Sequence, residues 1–246
     1  MSDDVFLDKF KWLLFGGVAV ILVAFGGLVV VLSMTGRSNE KPEDTSLLDK
    51  VGANKSSGAD EAARTETAPG LSFEGKGKKS QTFKAGGGLT VITLAHKGSS
   101  NFVVMYGQGQ ATQLLVNEIG QYEGSRALGL PAGDYVLDID ATGDWAVKID
   151  QSAPTTAEAP PQTLSGDGPS ATKFFSLKPG TARFRVSHEG DGFFAPYLLK
   201  SDGTGLTNLA NELGKFSGEK TVEIAAEGVY VVDVAASGPW KIDVSQ

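Results

Sequence analysis

Gly133 to Ile149 reads GDYVLDIDATGDWAVKI, and Gly228 to Val244 reads GVYVVDVAASGPWKIDV. Tyr135, Leu137 and Ile139 alternate with Val136, Asp138 and Asp140, as Tyr230, Val232 and Val234 do with Val231, Asp233 and Ala235. Alternation with period two is the pattern of a strand with one buried face. A glycine turn follows in each stretch, Thr142-Gly143-Asp144 or Ser237-Gly238-Pro239. A second alternating run comes next, Trp145/Val147/Ile149 or Trp240/Ile242/Val244. Each stretch therefore predicts a terminal β-hairpin with a Trp just after the turn.

Working outward, the echo extends over two copies, residues 71–150 and 163–246. Gly75-x-Gly77 matches Gly166-x-Gly168 at the start, and Val91 to His96 matches Arg183 to His188. Leu115-Val116-Asn117-Glu118-Ile119-Gly120 matches Leu209-Ala210-Asn211-Glu212-Leu213-Gly214, and Tyr122-Glu123-Gly124 matches Phe216-Ser217-Gly218. The offset drifts only from 91 to 95 residues, so insertions are small and fall in turns. Copies of this length are duplicated domains with separate cores, not short solenoid units. Each predicts seven or eight short strands, Gln81–Lys84 and Leu89–His96 among them. The expected class is all-β, two tandem jelly-roll or β-sandwich domains. Residues 151–162, QSAPTTAEAPPQ, make a short Pro-rich spacer between them.

Ahead of the copies, residues 12–32 form an uncharged run of 21, WLLFGGVAVILVAFGGLVVVL. As a helix it is roughly 31 Å long, one hydrocarbon core. It is longer than a signal-peptide core and lacks a small-x-small ending, so an uncleaved transmembrane helix in the lipid bilayer is expected. Gly17 with Ala24 and Ala19 with Gly26 share helix faces that suit close helix packing. Residues 1–11 are a short tail. Residues 33–70 are polar and poor in large apolar side chains, a composition for a flexible linker.

Net charge is −7, and residues 1–37 sum to zero, so all of it lies beyond the apolar run. An acidic body excludes a nucleic-acid stripe. The absence of Cys excludes thiol catalysis, Cys-bound zinc and disulfide scaffolding.

No catalytic constellation emerges, and neither a cofactor nor a metal is expected. His96 and His188, the two histidines, occupy equivalent places before a glycine turn and suit bonding to turn backbone. Asn117-Glu118 is read either as an Asx-type turn or as a ligand contact. Asp138, Asp140, Asp144 and Asp150 cluster on the hairpin. A solvated face is simpler there than a calcium site. The inward register of Trp145 and Trp240 makes them core residues rather than sugar platforms. Phe193, Phe194 and Tyr197, near a Gly-rich turn, are candidates for a contact surface along with Asn117 and Glu118.

The run Pro131-Ala132-Gly133-Asp134-Tyr135-Val136-Leu137-Asp138-Ile139 resembles the bacterial pre-peptidase C-terminal type of β-sandwich, and the stretch Leu115 to Leu128 resembles uncharacterised prokaryotic modules. The likeness covers both copies. It implies an extracytoplasmic accessory or binding module rather than a set reaction. The second copy departs most where Ser125-Arg126 becomes Glu219-Lys220. The expected protein is thus a non-enzymatic single-pass membrane protein, an accessory subunit of a membrane or envelope assembly with a protein partner. A surface module for polysaccharide or peptide is the alternative. The localisation expected is the cell membrane, with the modules periplasmic or at the cell surface.

Overall fold

The structure, a computed structural model, describes residues 70–246 throughout; of residues 1–69 it describes only backbone strands, β1 (Leu14–Phe15), β2 (Val18–Phe25) and β3 (Leu28–Ser33). These lie side by side in that order, with β1 antiparallel to β2. The backbone assigned within 12–32 is thus strand where the sequence predicts one helix. The run carries Val18, Val20, Ile21, Val23, Val29, Val30 and Val31. Such β-branched residues favour strands, and an unbroken apolar run has no periodicity to separate the two forms. Its side chains, including the expected packing positions Gly17, Ala19, Ala24 and Gly26, lie outside the described residues, as does most of the expected linker. Among the described residues no helix is long and apolar enough to cross a membrane.

The first module runs through β4 (Leu71–Lys76), β5 (Lys79–Ala85), β6 (Gly88–Lys97), β7 (Asn101–Gln108), β8 (Ala111–Ile119), β9 (Tyr122–Leu130), β10 (Gly133–Ala141) and β11 (Asp144–Asp150). It makes two four-stranded antiparallel sheets, β4-β11-β6-β9 and β5-β10-β7-β8. The second module repeats this with β12 (Gln162–Asp167), β13 (Ser170–Ala171), β14 (Phe175–Leu177), β15 (Gly180–His188), β16 (Phe193–Lys200), β17 (Gly205–Asn208), β18 (Glu212–Leu213), β19 (Phe216–Ile224), β20 (Gly228–Ala236) and β21 (Pro239–Ser245). Its sheets are β12-β21-β15-β19 and a second one in which β13 and β14 both pair β20, and β17 and β18 both pair β16. Strands alternate between two facing sheets in the order of an eight-stranded jelly roll, so each expected sandwich is present.

The cores follow from the alternation. Leu137, Ile139, Val147 and Ile149 close the first; Val232, Val234, Ile242 and Val244 close the second. Each such side chain, fully buried, contributes about 1.5–3 kcal/mol. Trp145 and Trp240 lie in these cores, 3% and 4% exposed, as the register predicts. The Gly-x-Gly landmarks exist for them. A Cβ at Gly75 or Gly166 would run into the indole of Trp145 or Trp240. Two residues on, the carbonyls of Gly77 and Gly168 accept the indole N–H at 2.9 Å. The Tyr135 and Tyr230 hydroxyls donate to the carbonyls of Pro131 and Ala226, each four residues back.

The modules are docked on each other. Leu89 and Ala127 of the first pack against Leu199 and Val231 of the second in a third apolar cluster. At its centre Asp233 takes three contacts from Arg126, at 2.8–3.1 Å, and the amide of Ala127 at 2.9 Å. Asp233 beside it, the largest effect, holds the Arg126 guanidinium above its ordinary range against the cost of burial. Along the same edge of β9 the Ser125 amide donates to Pro169, and the Ala171 amide to the Ser125 hydroxyl. A Cβ at Gly129 would strike the backbone of Gly203. The expectation that Val231 and Asp233 form the open face of their strand is therefore corrected. Both are buried, because the first module covers that face.

Candidate functional site

Two turns present the same feature in both modules. In the first, the ring of His96 is 2% exposed and stacks on Phe102 at 4.7 Å with the planes 7° apart. Its Nδ1–H donates to the carbonyl of Gly120 at 2.7 Å. The Gly120 amide donates to Ser100 at 2.9 Å. In the second, His188 stacks on Phe194 at 4.8 Å and 4°, and its Nδ1–H donates to Gly214 at 2.8 Å. The Gly214 amide donates to Gly192 at 2.7 Å. Both histidines serve turn backbone, as their positions predict.

The turns so fixed carry the two most exposed large aliphatics among the described residues, Ile119 at 75% and Leu213 at 65%. A large apolar side chain held out by a braced turn is available for contact with little ordering cost. Leu213 lies opposite Phe193, itself 46% exposed, whereas Ile119 lies opposite Asn101.

Both turns occupy the same end of the two-module body. Ser125 meets Pro169, Ala127 meets Asp233, and Gly129 meets Gly203, in step along β9. Asp233 is level with Tyr197 on β16, so β9 and β16 run in the same direction. The chain enters at the other end, because Leu71 pairs Ile149 while Lys76 pairs Asp144 beside the histidine end.

The five expected contact residues separate. Phe193, Asn117 and Glu118 are exposed. Asn117 and Glu118 sit on β8, not in an Asx turn, and partial burial raises the Glu118 carboxyl above its ordinary range. Phe194 is withdrawn from the contact surface, being fully buried against His188. Tyr197 is half-buried against the inter-module cluster. Strand alternation explains the split: of two neighbouring aromatics only one faces out. Ile119 and Leu213 were legible only as an aliphatic between Glu and a turn Gly in both copies.

The aspartates of the first hairpin find separate partners. Ser80 donates to Asp138, Lys78 and Lys76 pair Asp140 and Asp144, and Ser152 donates to Asp150. The Ser152 bonds, led by its hydroxyl, lower the Asp150 carboxyl. Among the described residues no three His, Cys, Asp or Glu side chains come together as a metal site would need. A shallow cleft of about 470 Å³ opens where the modules meet, lined by Thr93, Glu123, Ser125, Asp167 and Ser170.

No family model and no curated protein sequence matches the chain. Among solved structures it is similar to the N-terminal CBM22-1-CBM22-2 tandem domain from Paenibacillus barcinonensis Xyn10C, at 12% identity over 95% of this chain and 92% of that one, with a TM-score of 0.23. It is also similar to the stem and receptor binding domain of the spike protein P1 from bacteriophage PM2, at 12% identity over 75% and 81% with a TM-score of 0.12. Likeness at these scores carries no argument about fold or function.

Proposed function

We propose that the chain is a non-enzymatic membrane-anchored subunit whose paired jelly rolls bind a membrane or envelope protein outside the cytoplasm. The observation that carries this is the repeated, histidine-braced display of Ile119 and Leu213 at the end remote from Leu71. Residues 12–32 are the anchor, and in lipid they are helical. An open three-stranded sheet would leave edge N–H and C=O groups that hydrocarbon cannot satisfy. Residues 33–70 are the tether, with a mean reach of roughly 35 Å. The resemblance to pre-peptidase C-terminal modules agrees with an extracytoplasmic accessory role.

The test is purification of the full chain from its own membranes in mild detergent, beside the double variant Ile119→Ser/Leu213→Ser. A stoichiometric partner lost only from the variant supports this reading. A partner kept by the variant, or no partner with either form, sinks it. The cleft at the module junction favours a second reading, a surface site for polysaccharide or peptide, since its hydroxyls and carboxylates suit hydroxyl-rich or amide ligands. Binding to a glycan panel that Glu123→Ala and Asp167→Ala remove would support that reading.

A further inference from the structure

We infer that the molecule associates with a second copy of itself, end to end, through the surfaces that duplication leaves equivalent to its internal junction. The inference stands apart from the partner reading, because it uses neither Ile119 nor Leu213. The junction has two sides. One is the edge of β9, with Arg126 and the amides of Ser125 and Ala127. The other is Pro169 together with Asp233 on β20. Shared register fixes what stands at each place in the other module. Tyr122 and Phe216 pair the two histidines, so β19 sets Glu219, Lys220 and Thr221 where β9 has Ser125, Arg126 and Ala127. Ser80 pairs Asp138 as Ala171 pairs Asp233, so Asp138 stands for Asp233 and Lys78 for Pro169.

These two surfaces lie at opposite ends of the row of modules, and among the described residues both are uncovered. β19 is the last strand of its sheet, and Lys220 and Thr221 are exposed. Asp138 is exposed too. Their chemistry is complementary. Lys220 offers the cation that Arg126 supplies inside, and Asp138 offers the carboxylate. Lys78 and Lys79 would face Glu219, which within one copy pairs Arg183 and Arg185 at 3.2 and 2.9 Å. The outward side of β10 adds Asp134 and Asp140, and that of β15 adds Arg183 and Arg185. What is missing is aliphatic: Thr181 and Arg183 stand where Leu89 and Val91 do, and Gly107 where Leu199 does. The contact between copies is therefore weaker than the internal one and held by charge. Repeating the internal step keeps equivalent ends on one side. A row of copies would thus carry every Leu71 end on the same face, as chains tethered to one membrane require.

The chain has no Cys, so reporters can be placed at will. Val136 and Thr221 are exposed equivalents of Val231 and Ala127, which share the internal apolar cluster. The full chain carrying Val136→Cys and Thr221→Cys, in detergent with a short bismaleimide, should give a ladder of covalent oligomers. An equimolar mixture of the two single variants should stop at dimers. The ladder should be lost in about 1 M salt, where the screening length is about 3 Å. It should be lost with Lys220→Asp added, and return when Asp138→Lys is added as well. No ladder, a dimer from either single variant alone, or a ladder that survives both salt and charge reversal would overturn the inference.

Discussion

Trp145 and Gly75 form one unit, repeated by Trp240 and Gly166, and the unit shows how a missing side chain stabilises a core. Gly75→Ala or Gly166→Ala forces a methyl into the indole and should cost about 1–3 kcal/mol, measured by chemical denaturation. At the same scale, the hydroxyls of Tyr106 and Tyr122 are pushed up to about 12, chiefly by burial; the Arg126 charge opposes this and Asp233 adds to it. An unfolded tyrosine releases its proton near 10. Between those values the unfolded chain has shed protons that the folded chain keeps. The stability these groups contribute is whole below about pH 10 and drops as pH rises toward 12, by about 1.4 kcal/mol per group per pH unit. Leu198 and Phe216 stand at the equivalent places in the second module. Tyrosinate absorbance followed with fluorescence of Trp145 and Trp240 should show the first module opening first in alkali.

Between elements, β10 and β20 are the same strand put to different uses. Asp138 on β10 is exposed and Asp233 on β20 is 6% exposed. Asp233→Ala leaves Arg126 buried without its partner and should cost about 3–5 kcal/mol in denaturant unfolding. Asp138→Ala, an exposed substitution, should stay within about 0.5 kcal/mol. Equal effects of the two would contradict the junction described. One outward position of β20 was a usable sign, since Ala235 replaces the Asp140 of β10. A strand that needs water on one face has no cause to exchange Asp for Ala there. The His96 and His188 braces were legible too, because their place before a glycine turn recurs.

At the scale of the whole molecule, docking makes the two cores one mechanical body. The chain should unfold in a single transition near neutral pH, with the calorimetric and van't Hoff enthalpies equal. Asp233→Ala should split it into two, because each module keeps a closed core of its own. A single transition in both proteins would show that Asp233 is not what couples the two cores.

The sequence by itself determined the all-β class, the duplication, the strand alternation and the inward Trp, Tyr and His positions. These depend on local period and on what a buried face tolerates, and both are written along the chain. Only the tertiary structure decided that Arg126 and Asp233 meet, that Phe194 is core while Phe193 is not, and that Ile119 and Leu213 lie at the same end. Those facts depend on which faces of distant strands are pressed together. A charged residue at an outward position reads the same whether it will meet water or its counter-ion 107 residues away.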